Sequence, residues 1–259
     1  MGGGMSDIVY GRYVALGDSQ TEGVGDGDDI AGLRGFADRL AEQLAGLNSE
    51  FLYANLAVRG RLAGQVRALQ LDAALALKPD VATVVAGVND LLRPKFDADE
   101  VVGHLDAMFA ALTAQGARVA TVTFPDITRI VPLAKPLGGR VVALNAGIRE
   151  AARRHGVSLA ETNVHEVVTD ARLWCADRLH ASPLGHERIA ASLAQALALP
   201  GSSDAWTQAL PPVAGPVGGW GAELRWAGGF LGPWLGRRLR GRSSGDGRVA
   251  KRPELLPVI

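Results

Sequence analysis

Ser19 stands on the short turn Gly17-Asp18-Ser19, which follows the apolar run Tyr13–Leu16 and precedes Gly23. A serine between a strand and a helix start offers an exposed hydroxyl beside backbone N–H donors. An acyl-accepting nucleophile needs both. Alone, a serine in a turn is more often a structural or solvated group. A hydroxyl is also a poor nucleophile at neutral pH, so this chemistry requires a base. The chain has five histidines. His104 and His155 fall within helical patterns, and His165 lies in a short connecting stretch. His186 falls in the first turns of the last helical pattern and reads as exposed. His180 differs, because Asp177 lies three residues upstream in the loop Asp177-Arg178-Leu179-His180. A carboxylate that accepts a hydrogen bond from imidazole Nδ1 sets the tautomer and stabilises the imidazolium. Asp-x-x-His is also the spacing of a helix cap or a surface pair. Its meaning therefore depends on what else reaches the same place.

Short β-type runs alternate with helical patterns over residues 1–199. The predicted strands are Tyr13–Leu16, Phe51–Leu56, Val81–Ala86, Val119–Phe124 and Val157–Ala160. The predicted helices are Ala37–Leu47, Leu62–Leu77, Val101–Ala114, Val141–His155 and Pro183–Leu199. Leu40, Leu44 and Leu47 repeat at helical spacing. Lys78-Pro79 stops the second helix, and Ser182-Pro183 opens the last as N-cap and first residue. Strict alternation implies a five-stranded parallel sheet with helices on both faces, a three-layer α/β/α sandwich. Ligands of such sheets bind outside the carboxyl ends of the strands. Three polar clusters each follow a strand: Gly17-Asp18-Ser19, Ala57-Val58-Arg59-Gly60 and Gly87-Val88-Asn89-Asp90. The pattern places them along one edge.

With these clusters in view, the sequence resembles the SGNH, or GDSL, hydrolase family. Gly17-Asp18-Ser19-Gln20-Thr21-Glu22-Gly23 is similar to that family's first block, Gly-Asp-Ser-x-x-x-Gly. Gly60, in Asn55-Leu56-Ala57-Val58-Arg59-Gly60, matches the glycine of the second block in position. Gly64 competes for that role but falls inside a helical pattern. The third block, Gly-x-Asn-Asp, stands as Gly87-Val88-Asn89-Asp90, and the fifth as Asp177-Arg178-Leu179-His180. Gln20 replaces the leucine of the first block, a departure that reads as not touching the chemistry. The resemblance implies an SGNH, flavodoxin-like fold and a serine hydrolase. Ser19 would be the nucleophile, His180 the general base and then acid, and Asp177 its orienting partner. The oxyanion hole would combine the backbone N–H groups of Ser19 and Gly60 with the side-chain amide of Asn89. Gly60, lacking Cβ, allows close backbone approach. Loss of one such donor typically costs about 100- to 1000-fold in rate. No metal or organic cofactor is implied. The implied activity is cleavage of a small-molecule carboxylic ester or thioester through an acyl-enzyme. Acyl transfer to a sugar or alcohol hydroxyl is the first alternative. A non-catalytic binding module on the same fold is the second.

Other residues near the blocks read more plainly. Asp18 and Asp90 read as loop-holding acceptors. Asp18 and Arg93 are side candidates for substrate contact, Arg93 toward a carboxylate or phosphate or else as a loop brace. Cys175 has no base of its own. The run Gly23–Asp29 lacks the lysine of a P-loop and the closing glutamate of an EF-hand, and reads as a flexible rim.

The 259 residues carry 27 basic and 27 acidic side chains, a net charge of zero that argues against a generally basic nucleic-acid binder. One cysteine excludes an intrachain disulfide. Apolar runs such as Val81–Val88 fall far short of the roughly 18 residues of a membrane span. Met1-Gly-Gly-Gly-Met5 lacks the basic start of an export signal, so the expected location is the cytoplasm. The zero hides an asymmetry. Residues 200–259 hold eight basic and four acidic residues, twelve of the 33 glycines and four of the five tryptophans. The chain therefore divides into a hydrolase domain, 1–199, and an irregular extension, 200–259. Trp226, Phe230 and Trp234 recur at helical spacing, but Gly228, Gly229, Gly232 and Pro233 interrupt them. Three readings remain open. The extension packs its tryptophans on the body, or residues 220–252 contact an anionic membrane surface, or the segment forms a lid or acyl-pocket wall. The oligomeric state is not encoded in these features.

Overall fold

A computed structural model describes residues 10–212, 228–229 and 244–258. Along the chain the elements are β1 (Arg12–Gly17), α1 (Ser19–Glu22), β2 (Gly27–Asp28), β3 (Gly32–Leu33), α2 (Phe36–Ala45), β4 (Leu52–Asn55), α3 (Ala63–Ala76), β5 (Val81–Val85), α4 (Val88–Leu91), α5 (Ala98–Ala114), β6 (Arg118–Val122), α6 (Ile127–Ile130), α7 (Gly138–His155), β7 (Ser158–Ala160), α8 (Pro183–Ala196) and β8 (Arg252–Pro257). The five predicted strands and five predicted helices are all present. Their ends follow local chemistry. Asp97 caps α5 by accepting from the N–H groups of Asp99 and Glu100, and Ser182 caps α8 by accepting from Gly185.

The main sheet runs β7-β6-β5-β1-β4-β8. β1 is central and parallel to both neighbours, with Tyr13 level with Tyr53 of β4 and Val81 of β5. All five β5 residues are buried, as expected of a parallel strand covered on both faces. From β1 the chain moves one way to β4, then passes back over β1 to β5, β6 and β7. Right-handed crossovers then put α2 with α8 on one face and α3, α5 and α7 on the other. The reversal beside β1 is a topological switch point, where the carboxyl ends of the strands leave a crevice. Ser19 follows β1 and Asn89 follows β5, so both stand at this crevice.

The extension departs from its reading as irregular. Its last residues form β8, antiparallel to β4, with Leu52 level with Pro257 and Asn55 with Arg252. Pro253 and Pro257 obscure this strand in the sequence, since proline is tolerated only at sheet edges or strand ends. Trp206 is buried with Val167, Val168 and Leu173 in a second, smaller apolar cluster. Trp220, Trp226 and Trp234 lie outside the described residues. Among the described residues, no helix is long and apolar enough to cross a membrane.

The end of β1 is held by one side chain. Gln70 of α3 is buried; its Oε1 accepts from the Gly17 N–H and its Nε2 donates to the Gly17 carbonyl, each at 2.9 Å. Gln70→Ala leaves both backbone groups buried and unpaired. Since each such group costs about 1–3 kcal/mol, urea unfolding should show a loss of about 2–6 kcal/mol; an unchanged midpoint would contradict this.

Candidate active site

Each turn at the crevice is braced by buried polar side chains. β1 ends at Gly17, where any Cβ would collide with the Thr21 hydroxyl and the Val85 carbonyl. Asp18 then caps α1, its Oδ1 accepting from the Gln20 N–H at 3.3 Å. The helix is a single turn, yet Ser19, Gln20, Thr21 and Glu22 are all buried. Ser19 is 8% exposed and opens the helix, where backbone N–H groups have no intrahelical acceptor.

Gly60 lies beyond β4 at φ +77°, a left-handed conformation that favours glycine. Its neighbour Arg59 ties this turn to α1. The Arg59 N–H donates to Glu22 Oε2 at 2.6 Å, and the guanidinium Nη2 donates to Glu22 Oε1 at 2.8 Å. Both side chains are largely buried. Nη2 also donates to Asp29 Oδ1 at 2.8 Å. Asn89, on α4, joins the two turns. Its Nδ2 donates to Asp18 Oδ2 at 3.0 Å and to the Arg61 carbonyl at 3.1 Å. Asp90 accepts from the Ala63 N–H at 3.0 Å, which fixes the start of α3 against α4. Burial pushes the Asp90 carboxyl up. Burial also pushes Asp18 up, to about 6, against the opposing hydrogen bonds from Gln20 and Asn89 and the His180 charge.

His180 and Asp177 meet directly, with Nδ1 and Oδ2 2.6 Å apart. The other carboxylate oxygen, Oδ1, accepts from the Leu179 and His180 N–H groups, both at 3.0 Å. Burial raises the Asp177 carboxyl, but the bond to His180, its charge and the two N–H donors outweigh burial and hold it below its ordinary value. Donation of the Nδ1 proton to Asp177 leaves Nε2 with its lone pair. The loop closes on itself: the Cys175 N–H donates to the His180 carbonyl at 2.8 Å, and Ser182 N–H to the Leu173 carbonyl at 2.9 Å.

Three expectations change. Gln20 does touch this machinery. Its Nε2 donates to the Leu179 carbonyl at 2.8 Å, and its Oε1 accepts from the Ala181 N–H at 3.2 Å. His186 is not exposed but fully buried. Its Nδ1 accepts from the Phe36 N–H at 3.1 Å, and Nε2 reaches the Val24 carbonyl at 3.1 Å. Burial drives its pKa down to about 4. The Gly23–Asp29 rim enters the β2–β3 hairpin, and Arg39 pairs with Asp26 at 2.5 Å. The single turn α1, the Glu22–Arg59 pair and the Gln70 brace are absent from the sequence reading. Nothing in the spacing of these residues signals them, since their partners come together only in the fold.

Cys175 contacts the Gly25 and Ala181 carbonyls, and burial pushes its thiol up, away from the reactive thiolate. Arg93 lines a polar cavity with Asp90, Lys95 and His104. A different cavity, about 100 Å³ and almost wholly apolar, opens beside the His180 loop. Val88, Phe124, Ile130, Val168, Leu179 and Trp206 are among its walls. Gln20 borders it from the Ser19 side and Val88 from the Asn89 side.

Strand order, crevice and the residues gathered there define an α/β protein of the SGNH hydrolase type. Comparison with protein-family models matches residues 15–188 to the GDSL-like lipase/acylhydrolase family, and the chain belongs to that family. No curated protein matches it. Among solved structures it is similar to LAE5, an alpha/beta hydrolase enzyme from the metagenome of Lake Arreo, Spain. That likeness has 21% identity and a TM-score of 0.60 over 73% of this chain and 95% of the other. It is similar to TesA, at 22% identity and a TM-score of 0.60 over 72% of this chain and 97% of that one. It also resembles Axe2, an acetylxylan esterase from Geobacillus stearothermophilus, at 16% identity and a TM-score of 0.61 over 75% and 97%. At these identities the likeness is one of fold.

Two buried groups titrate in opposition. The folded protein keeps the Asp18 proton up to about pH 6, whereas the unfolded chain releases it near 3.8. That contribution is full at low pH and is lost as pH rises through 6. His186 stays neutral when folded down to about pH 4, whereas the unfolded chain protonates near 6.5. Its contribution is full above pH 6.5 and is lost as pH falls toward 4. Each amounts to on the order of 3 kcal/mol, with opposite sign. Relative to the unsubstituted protein, Asp18→Asn should therefore lose stability between pH 7 and pH 4, and His186→Gln should gain. Denaturant unfolding at several pH values measures this; parallel slopes for all three proteins would refute it.

Proposed function

We propose that the chain is a serine hydrolase that cleaves carboxylic esters or thioesters through an acyl-enzyme. The observation that carries this reading is the 2.6 Å pairing of His180 Nδ1 with Asp177, in a loop hydrogen-bonded to Gln20, the residue next to Ser19. Ser19 Oγ attacks the carbonyl carbon while its proton passes to His180 Nε2. The oxyanion takes the N–H groups of Ser19 and Gly60 and the amide of Asn89. Asn89 shares its Arg61 bond with the oxyanion, while Asp18 keeps the amide aimed. The tetrahedral species collapses, and the leaving oxygen or sulfur takes the proton from His180. Water then attacks the acyl-enzyme, giving its proton to His180, which returns it to Ser19 as the acid departs. Asp177 stabilises the imidazolium in each half.

The apolar cavity supports an acyl group longer than acetyl. Its roughly 100 Å³ is somewhat below the ~150 Å³ apolar cavity that accepts benzene. That space suits a chain of several carbons beyond the carbonyl. Each methylene buried contributes about 0.8 kcal/mol, or about fourfold.

Ser19→Ala and His180→Ala should each lower ester hydrolysis by at least about 1000-fold, since triad members act as a unit. Labelling of Ser19 by a fluorophosphonate should be lost in step; wild-type turnover in either variant would end the assignment. In a series of acyl esters, kcat/KM should rise about fourfold per methylene and then level off. Ile130→Trp should flatten that rise and spare the acetyl ester. A series that peaks at acetyl would remove the cavity from the acyl site. Product analysis with sugar acceptors present separates hydrolysis from acyl transfer.

A further inference from the structure

Gln20 follows Ser19 directly, and its carboxamide bonds to the backbone on both sides of His180. Nε2 donates to the Leu179 carbonyl at 2.8 Å, and Oε1 accepts from the Ala181 N–H at 3.2 Å. The residue is 9% exposed, so its bond to the Ala181 N–H is buried and that to the Leu179 carbonyl partly so, and their loss is poorly made good by solvent. On its other side the loop bonds to its own stem through Cys175 N–H to the His180 carbonyl and the Trp174–Ala181 bridge, and Cys175 Sγ contacts the Gly25 carbonyl. Arg178, inside the loop, holds φ at +56°, a conformation that a non-glycine residue keeps only where its surroundings enforce it. Leucine, which the first motif block carries at this position, can make neither bond. Gln20 thus spans the gap between the turn that carries Ser19 and the loop that carries His180.

We infer that Gln20 is a positioning residue: its side-chain amide sets the distance and angle of His180 relative to Ser19. This rests on the serine-hydrolase reading above. A misplacement of about 1 Å at a reacting pair can cost about 100-fold in rate. An effect that works through His180 falls on kcat, leaves substrate binding alone, and disappears when His180 is absent.

The test measures kcat, KM, fluorophosphonate labelling rate and thermal midpoint for Gln20→Leu, alone and in the His180→Ala background. The expected result is a loss of about 100-fold in kcat, with KM within about threefold. Labelling should slow in proportion, and the residual rate of His180→Ala should not change further. Gln20→Glu, which keeps Oε1 as acceptor, serves if the leucine variant unfolds. Its protonated acid restores the donor to Leu179, so activity relative to the unsubstituted enzyme should fall as pH rises through the new carboxyl's titration. A kcat within about threefold of the unsubstituted enzyme overturns the inference. So does an equal fold-loss in both backgrounds, which marks a structural effect, or a pH-independent Gln20→Glu defect. Wild-type activity of Ser19→Ala and His180→Ala would instead end the hydrolase reading. Loss in those two with Gln20→Leu intact ends this inference alone.

Discussion

The constraint on which the site depends is a single helical turn with no exposed face. α1 buries four polar side chains in succession, and buried polar groups must find partners. Asp18, Gln20 and Glu22 each reach a different loop through their side chains, and Thr21 reaches one through its carbonyl, its buried hydroxyl being without a hydrogen-bond partner among the described residues. Asp18 holds Asn89, and Gln20 holds the backbone around His180. The Thr21 carbonyl accepts from Asn55 at the end of β4, and Glu22 holds Arg59 beside Gly60. The loops after β4 and β5 and the loop before α8 are thereby referenced to one five-residue stretch. Ser19 lies within it, between Asp18 and Gln20. Preorganisation of this kind is worth most where water is excluded, since the donors need not reorganise during reaction.

Much of this was legible in the sequence. The alternation of buried strands and helices is a direct consequence of a parallel sheet covered on both faces. The runs at Val81–Val85 and Arg118–Val122 could hardly be read otherwise. The five candidate site residues could be picked out because their types recur in fixed spacing just after predicted strands and in the loop before the last helix. The braces were not. Gln20, Gln70 and Glu22 are ordinary polar residues whose partners lie 37 to 161 positions away. Only the fold makes such pairs neighbours. His186 misled for a related reason: the first turn of an amphipathic helix is commonly exposed, but here Val24 and the start of α2 close over the imidazole.

The braces differ in how they would fail. Glu22 and Arg59 form a buried ion pair, and removing one partner of such a pair typically costs about 3–5 kcal/mol because the other charge is stranded. Gln20 and Gln70 are neutral, so their loss strands only dipoles. The charged brace thus secures the turn that carries Gly60, through the Arg59 N–H and guanidinium. The neutral amide secures the His180 loop by gripping the backbone on both sides of the imidazole without placing a second charge there beside Asp177.

The segment beyond the family-matched residues belongs to the same economy of partners. Trp206 closes the apolar cavity, and β8 covers the β4 edge that would otherwise present unpaired N–H and carbonyl groups. The excess positive charge of residues 200–259 is partly committed to the body. Arg248 pairs with Asp29 and Lys251 with Asp38, each at 2.6 Å, while Arg252 donates to the Tyr53 carbonyl and lies over the Tyr53 ring. Asp29 also accepts from Arg59 beside Gly60, so the returning chain touches the network that holds the candidate oxyanion turn. A net charge of zero is then more than an arithmetical cancellation between two segments. Part of it is made of contacts that fasten the returning chain to the body, with Arg248 and Lys251 meeting carboxylates there and Arg252 a carbonyl and a ring.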